Sequence, residues 1–126
     1  MLPALARHPR LERAVLVPVP LHPRRLAKRG HNQAMLLVRA LSRTAGIPVA
    51  GQLRRERHTP SQTGLDRRTR RGNVAGAFRW HGPPPEGRTV LIVDDVVTTT
   101  ATLDACAEAC RKAGIRESWG LVAGKR

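Results

Sequence analysis

Hydrophobic residues in this chain fall into short runs that are separated by polar stretches. The run Val90–Val93 is unbroken and consists of β-branched and aliphatic residues, which is typical of a strand covered on both faces of a parallel sheet. Another apolar run predicts a strand over Val15–Val17 or Val15–Val19, because Pro18 and Pro20 remove the backbone donors that would continue it. These two runs predict the buried strands of the core.

Two longer segments carry apolar residues at helical spacing. The first extends from Asn32 to Ala45 and is followed by Gly46, a residue that favours the end of a helix. The second comprises Leu103–Ala113 and is followed by Gly114. Each segment is amphipathic, so each is predicted to be a helix that packs one face against the sheet.

Three weaker patterns predict further strands. They lie at Gln52–His58, which resembles a short edge strand, at Val74–Phe78 and at Ser118–Ala123. The chain of 126 residues has room for one modest core, so we expect one domain over residues 1–126. The alternation of strands and helices predicts an α/β fold with a mostly parallel sheet of about four or five strands, flanked by helices.

The net charge of the chain indicates which class of ligand it binds. The formal net charge is +14, from 23 Lys and Arg against 9 Asp and Glu, and most of the basic residues are arginine. Such a chain favours polyanions, either nucleic acid or a phosphorylated small molecule, although a genome rich in G and C would give the same arginine excess. Cys106 and Cys110 share the apolar face of the second helix and are predicted to be buried thiols rather than metal ligands. Without a signal peptide or a membrane span, we expect the protein in the cytoplasm and away from membranes.

The candidate chemistry follows the central strand directly. Asp94 and Asp95 come after Val93, and a threonine-rich stretch, Thr98–Thr102, leads into the second helix. Unpaired N–H groups at a helix start bind phosphate, and carboxylates at the end of a buried strand can hold sugar hydroxyls. Together these groups predict a site for a ribose 5-phosphate. The alternative is structural, with the two acids serving only to cap the helix.

At these residues the sequence resembles the phosphoribosyl pyrophosphate (PRPP) motif of type I phosphoribosyltransferases. The resemblance implies that Asp94 and Asp95 bind the ribose hydroxyls. It also implies that a group of loop residues binds the 5-phosphate, namely Thr98, Thr99, Thr100, Ala101 and Thr102. Magnesium would be carried by PRPP itself, with no metal site on the protein. Purine enzymes of the hypoxanthine type carry an acidic candidate base where this chain has Thr98, so the catalytic residues stay unassigned.

Thr100 stands where relatives carry glycine, and two accounts of it are open. In the first, the loop keeps the positive φ that favours glycine, so threonine is strained and Thr100→Gly should tighten PRPP binding. In the second, the loop has an unstrained path and the threonine hydroxyl donates to the phosphate. Thr100→Gly should then weaken binding while Thr100→Ser leaves it nearly intact.

A basic segment follows the first strand and predicts a second anion site. Its cations are Arg24, Arg25, Lys28 and Arg29. Loops that leave parallel strands at their carboxyl ends share one edge of the sheet, so this segment is predicted to bind the pyrophosphate. The string from Val17 to Ala34 resembles the ComF family, competence-associated proteins built on the phosphoribosyltransferase fold. The alternative is an ordinary solvated basic turn.

A third segment, Thr59–Asn73, also resembles ComF proteins, in a Thr-Pro-x-Gln-x-Gly-Leu string followed by an arginine-rich run. By analogy with type I transferases it would be a mobile loop that closes over PRPP. The residues assigned to this loop are Thr59, Pro60, Gln62, Gly64, Arg67, Arg68 and Arg71. The alternative is an ordinary disordered basic loop.

The resemblance to ComF proteins covers about residues 15–123. ComF proteins usually carry a zinc ribbon and further helices upstream, so we expect this chain to be a carboxyl-terminal portion. The resemblance implies PRPP and magnesium as ligands and, if the chain is an enzyme, displacement of pyrophosphate at the anomeric carbon by an acceptor that the sequence does not identify. Two other functions stay open: a DNA-uptake module that binds single-stranded DNA or a helicase-type partner, and a PRPP-sensing regulator. The oligomeric state is not predicted.

Overall fold

A computed structural model describes residues 12–21, 32–56, 76–97 and 100–125 of the chain. Within these ranges there are five strands and two helices, which we number in chain order. The strands are β1 (Ala14–Pro18), β2 (Leu53–Arg55), β3 (Phe78–Trp80), β4 (Thr89–Val97) and β5 (Ser118–Lys125), and the helices are α1 (Gln33–Ala45) and α2 (Ala101–Lys112). Neither described helix combines the length and apolar character that crossing a membrane would need.

Three strands form a parallel sheet in the order β1-β4-β5. The register places Ala14 beside Thr89 and Val90 beside Ser118. Pro18 is tolerated in β1 because Leu16, two residues earlier on the same side, exchanges backbone hydrogen bonds with Pro48 and Ala50. The missing N–H of Pro18 therefore lies on the side away from β4. The parallel sheet and its flanking helices confirm the predicted α/β class.

The strand pairing differs from the prediction of one sheet. β2 and β3 pair only with each other, as an antiparallel ribbon in the described part of the chain, and Val49 makes a single parallel bridge to Leu16 beside β1. The strand predicted over Val74–Phe78 was placed too early, since β3 begins at Phe78. The physical reason is a turn at Gly76, whose φ of 74° interrupts an extended backbone before β3.

Both faces of the sheet are covered, as the apolar runs predicted. On one face, α2 and the ribbon pack over the sheet in a cluster that includes Val17, Val90, Ile92, Cys106, Cys110 and Trp80. On the other face, Val38 of α1 packs with Leu16 and Val93. Alternate residues of β1 and of the Val90–Val93 part of β4 point to opposite clusters, which is why these two stretches contain no polar side chains. Both cysteines are fully buried and free, as predicted.

Candidate functional site

The two acids lie inside β4 rather than after it. β4 pairs with β1 only as far as Val93, but its pairing with β5 continues to Val97, with Asp94 beside Val122. The predicted strand end was therefore wrong by four residues, because β5 supports the chain beyond the point where β1 stops. Asp94 and Asp95 begin where β1 leaves the sheet, so at their position no strand of the described residues pairs with that flank of β4.

Asp94 occupies the more unusual environment of the pair. Its side chain is only partly exposed, and its Oδ1 accepts a hydrogen bond of 2.9 Å from the backbone N–H of Asp95. Burial, with a smaller contribution from the Asp95 side chain, raises the pKa of Asp94 from 3.8 to about 6. The ionised form is therefore costly in the free protein. Hydroxyl donors or a cation brought by a ligand would lower that cost.

The amino end of α2 follows the acids closely. Thr100 is the N-cap residue, and Ala101 and Thr102 belong to the first turn of the helix, which begins two residues earlier than predicted. The Thr100 hydroxyl donates to Oδ2 of Asp104 at 3.0 Å instead of capping a backbone group. The backbone N–H groups of this turn are the phosphate donors that a helix start provides. Thr98 and Thr99 lie outside the described residues.

The backbone at Thr100 tests one assumption of the two accounts, the positive φ. Its φ is −83° and its ψ is 1°, and no residue other than glycine has a positive φ in the described ranges. Threonine adopts this conformation without the penalty of a left-handed backbone. The strain from a positive φ that the first account assumes is therefore absent at Thr100, while the effect of Thr100→Gly on PRPP binding stays a prediction.

The carboxyl end of β1 lies at the same edge of the sheet as the acids. The backbone N–H of Val19 donates to the carbonyl of Val93 at 2.8 Å, so the chain leaves β1 directly beside the start of the acid pair. The predicted anion-binding cations, Arg24, Arg25, Lys28 and Arg29, lie outside the described residues. The structure does describe the chain on both sides of this segment, as far as Leu21 before it and from Asn32 after it.

The side chain of Asn32 links the end of β1 to the start of α1. Its Oδ1 accepts hydrogen bonds from the N–H groups of Ala34 at 2.9 Å and Met35 at 3.3 Å, which caps α1 as predicted. Its Nδ2 donates to the carbonyl of Val19 at 3.2 Å, which the sequence did not reveal. One side chain thus fixes the start of α1 against the end of β1. The chain before the basic segment and the chain after it are therefore held together at the edge of the sheet that carries the acids.

The ribbon holds the ends of the third segment together. Arg55 pairs with Phe78, and the backbone N–H of Glu56 donates to the carbonyl of Ala77 at 2.9 Å. The predicted mobile-loop residues, Thr59, Pro60, Gln62, Gly64, Arg67, Arg68 and Arg71, lie outside the described residues. The chain on either side of them leaves from one point on the ribbon.

Arg55 is a candidate site residue that the sequence analysis did not single out. It is almost fully buried, with its guanidinium carbon 5.3 Å from the centre of the Phe78 ring. Burial raises the pKa of the Cys106 thiol, Cys110 and Asp94 raise it further, and Arg55 opposes them. A buried cation and a partly buried acid therefore shift the pKa of the same thiol in opposite directions. The signal in the sequence was the alternation of Leu53 and Arg55, which assigns both to one face.

The aromatic residues are distributed differently from what base stacking would need. Phe78 and Trp80 are in the core, at 6% and 7% exposure, and the indole N–H of Trp80 donates to the carbonyl of Pro83 at 3.3 Å. Trp119 is 49% exposed but lies on β5 beside Leu91, three residues before the position of Asp94 along β4. Of the described aromatic side chains, none lies at the acid pair.

The residues present suit a magnesium ion that arrives with its ligand. The described ranges contain no group of three or more His, Cys, Asp or Glu side chains that could hold a metal ion. Asp94 and Asp95 supply hard oxygen atoms, the donors that Mg²⁺ prefers, but a protein-bound site would need more of them. The donor set fits an ion coordinated mainly by phosphate oxygens.

Comparison with known proteins gives relatives over most of the chain. No protein-family model matches it. The chain is 41% identical over 112 residues to competence protein F of Haemophilus influenzae, a match that covers 85% of this chain and 49% of the relative. It is 42% identical over 94 residues to the DNA utilization protein YhgH of Escherichia coli, covering 74% of this chain and 41% of the relative. For competence protein ComFC of Bacillus subtilis the identity is 33% over 100 residues, covering 79% and 39%.

The matched region spans less than half the length of each of these relatives. The fold is similar to that of a purine phosphoribosyltransferase from Pyrococcus horikoshii, with a TM-score of 0.55 and 17% identity over 99% of this chain and 78% of the other. At that identity the similarity shows the fold alone. The family is shown by the relatives found by sequence. Sequence and fold together show that the chain is a ComF-type domain with the phosphoribosyltransferase fold.

Proposed function

We propose that this domain binds PRPP together with magnesium. Asp94 and Asp95 hold the ribose hydroxyls, and residues Thr98–Thr102 at the amino end of α2 hold the 5-phosphate. The observation that supports this most directly is the convergence of three features at one edge of the sheet. These are a pair of acids beside a flank of β4 that no described strand covers, a helix start that follows them, and the end of β1 held against Val93 at 2.8 Å.

The electrostatics of Asp94 fit a ligand that carries hydroxyl donors and a cation. In the free protein its ionised form is disfavoured by burial, which raises its pKa to about 6. Two ribose hydroxyls that donate to the acid pair would stabilise the ionised form through charge-assisted hydrogen bonds. Mg²⁺ on the pyrophosphate oxygens would act in the same direction. Ligand binding therefore compensates an unfavourable charge that the fold already contains.

The basic segment after β1 is the proposed receptor for the pyrophosphate. Arg24, Arg25, Lys28 and Arg29 follow a strand end that lies next to the acids, and Asn32 returns the chain to the same place. Arginine forks bind phosphate oxygens through paired hydrogen bonds. In a transferase, these cations would stabilise the departing pyrophosphate while the carboxylates stabilise the positive charge that develops on the sugar. The magnesium ion would supply further charge neutralisation on the phosphates.

Calorimetric titration of PRPP in the presence of magnesium tests the proposal. We expect the double variant Asp94→Asn with Asp95→Asn to bind PRPP at least tenfold more weakly, since a lost hydrogen bond to a charged group costs about 1.5–3 kcal/mol. The matched control is Glu12→Gln with Glu86→Gln, which removes two exposed carboxylates from other parts of the chain. Equal affinity of the acid-pair variant and the wild type would refute the ribose assignment. Pyrophosphate release in the presence of candidate bases or other acceptors separates a transferase from a sensor.

A second candidate function is binding to single-stranded DNA, and one observation favours it. Arg54 and Arg79 are direct partners across the β2–β3 ribbon, and both are exposed. Like charges in opposite positions of a strand pair are destabilising; an ion pair of Arg79 with Glu56 at 3.8 Å offsets part of this repulsion, and a phosphate chain across the ribbon would offset more of it. The relatives named for competence and DNA utilization make DNA a relevant ligand to test.

Salt dependence distinguishes a phosphate-driven contact from other forms of DNA binding. Phosphate contacts release counterions, so affinity for an oligonucleotide should fall steeply with salt and depend little on sequence. We expect the same weakening when Arg54 and Arg79 are changed to Ser, or when the clusters Arg24–Arg29 and Arg67–Arg71 are. Affinity that is insensitive to salt, or to all of these substitutions, would contradict this function. The scarcity of exposed aromatic side chains predicts a weak contribution from base stacking.

A further inference from the structure

The start of α2 carries a negative charge of its own. Asp104 is the acidic residue in the first turn of the helix, and its side chain is exposed. A carboxylate at this position interacts favourably with the positive end of the helix dipole. A phosphate bound by the N–H groups of the same turn would lie in the same field. Asp104 therefore provides the helix with part of the stabilisation that a bound phosphate would provide.

Two hydrogen bonds hold Asp104 against Thr100. The backbone N–H of Asp104 donates to the carbonyl of Thr100 at 2.8 Å, and the Thr100 hydroxyl donates to Oδ2 of Asp104 at 3.0 Å. The side chain of Thr100 makes no capping hydrogen bond to a backbone group. The hydroxyl of the N-cap residue is thus directed at a carboxylate four residues later in the chain.

A threonine hydroxyl has a single proton to donate. A carboxylate at neutral pH only accepts hydrogen bonds, and so do the oxygen atoms of a phosphate dianion. The Thr100 hydroxyl can therefore donate to Asp104 or to a bound phosphate, but it cannot give a full hydrogen bond to both at once.

We propose that Asp104 competes with the 5-phosphate of PRPP for the Thr100 hydroxyl and so lowers the affinity of the phosphate end of the site. This role rests on the proposed function, in which Thr98–Thr102 hold that phosphate. Without ligand the hydroxyl donates to the carboxylate. When the phosphate binds, the hydroxyl turns to it, and Asp104 loses a hydrogen bond while a second negative charge arrives beside it. Asp104 is thus a positioning residue that acts through Thr100.

The hydrogen bond limits how far apart the two charges can lie. A phosphate oxygen that accepts from the Thr100 hydroxyl is about 2.7 Å from it, so it is within about 6 Å of Oδ2 of Asp104 while that carboxylate keeps its place. This separation is shorter than the screening length of physiological salt, about 8 Å. With the dielectric constant of water, repulsion at this distance weakens binding about threefold for each unit of phosphate charge. A phosphate with about two charges therefore loses about tenfold in affinity.

Calorimetric titration of PRPP with magnesium into Asp104 variants of the whole chain tests this competition. Asp104→Asn keeps the shape of the side chain and removes its charge, so we expect it to bind PRPP about tenfold more tightly than the wild type. Asp104→Glu changes the shape and keeps the charge, so it should show no such gain. Damage to the fold predicts the reverse order, because the variant closest in shape would then stay closest to the wild type.

Glu108→Gln is the matched control for net charge. It removes an exposed carboxylate from the same helix, one turn further from the helix start, where Glu108 is paired with Arg111. Because Arg111 already offsets this charge, we expect the affinity for PRPP to change less than about twofold. A gain as large as that of Asp104→Asn would show that net charge alone, and not the position of Asp104, controls binding.

Thr100→Val tests the path through the hydroxyl. Valine has the shape of threonine without the donor, so in this background Asp104 has no hydroxyl to compete for and only charge repulsion remains. The gain from Asp104→Asn should therefore be about threefold smaller in the Thr100→Val background than in the wild type, as expected for one hydrogen bond. The difference between the two gains measures the coupling of the two residues.

The possible failures of this inference differ from one another. Equal or weaker PRPP binding by Asp104→Asn, with binding intact in the wild type, would overturn the role of Asp104 and leave the proposed function standing. A gain of the same size in both Thr100 backgrounds would overturn the competition for the hydroxyl. If neither the wild type nor any variant binds PRPP, the proposed function is refuted and this inference with it. Urea unfolding without ligand is an independent check, since Asp104→Asn should unfold at lower urea although it binds PRPP more tightly.

Discussion

Replacement of Asp94 by Asn should make the domain more stable at neutral pH while it removes PRPP binding. The pKa of Asp94 is raised from 3.8 to about 6, mainly by burial. At 1.36 kcal/mol for each pH unit, the ionised form is disfavoured by about 3 kcal/mol in the folded state. Because the side chain is partly exposed, solvent screening reduces this figure, and we expect a gain of about 1–2 kcal/mol. Asparagine has the same shape and keeps an oxygen to accept the hydrogen bond from Asp95.

The pH dependence follows from the direction of the shift. Between pH 3.8 and about 6 the unfolded chain releases the Asp94 proton while the folded chain retains it, so the wild type loses stability as pH rises through this window. The Asn variant has no such loss. The difference in the free energy of unfolding should therefore be small near pH 4, grow up to about pH 6 and stay constant above it.

Urea unfolding at several pH values between 4 and 8 measures this difference. Glu86→Gln is the matched control, since it removes an exposed carboxylate and so reports the effect of net charge alone. The reasoning is refuted if Asp94→Asn is no more stable at pH 7.5 than this control, or if its advantage does not change with pH. A site residue that destabilises its own fold is the expected signature of selection for binding rather than for stability.

Three further outcomes follow from the described contacts. Asn32→Ala should lower the free energy of unfolding by about 1–2 kcal/mol, and Asn32→Asp should lower it less because it keeps the cap and loses only the bond to Val19; equal losses in urea titrations would contradict the double role. Thr100→Gly should weaken PRPP binding in calorimetry while Thr100→Ser stays near wild type, and tighter binding by the glycine variant would restore the strained-loop account. Cys106 and Cys110 should stay unreactive to a thiol reagent at pH 8 until the chain unfolds, because burial raises the pKa of both, that of Cys110 to about 11; rapid labelling of the folded protein would disprove their burial.

Much of the fold could be predicted from local patterns in the sequence. Asn32 and Gly46 mark the two ends of α1 because capping depends on residues within one turn of the helix end. The run Val90–Val93 indicated a strand covered on both faces because each of its side chains meets a buried layer. The end of β4 was misplaced because it depends on pairing with β5, which no neighbouring residue encodes.

Contacts between distant segments were the part that the sequence could not supply. The separation of β2 and β3 into their own ribbon depends on how Phe78 and Trp80 pack against α2, and alternation alone does not say which sheet a strand joins. The second hydrogen bond of Asn32 is likewise invisible to local pattern, whereas the alternation of Leu53 and Arg55 could have indicated that Arg55 is buried. For Asp94 and Asp95, residue type and order in the sequence were enough to propose a role. The burial that raises the pKa of Asp94 became visible only in the structure.

The neighbours of β4 in the sheet have a consequence for the order in which this domain folds. β4, α2 and β5 are consecutive in the chain, so their contacts close only short loops, whereas bringing β1 beside β4 closes a loop of about 70 residues. Local contacts form faster than distant ones, so we expect the unit from Thr89 to Lys125 to assemble first and β1 to dock later. The acid pair and the helix start belong to the early unit, and the basic segment arrives only with β1. An incompletely folded chain would hold the acids and helix start of the proposed site without β1 and the cations that follow it in the chain, so affinity for PRPP would report on the last step of folding.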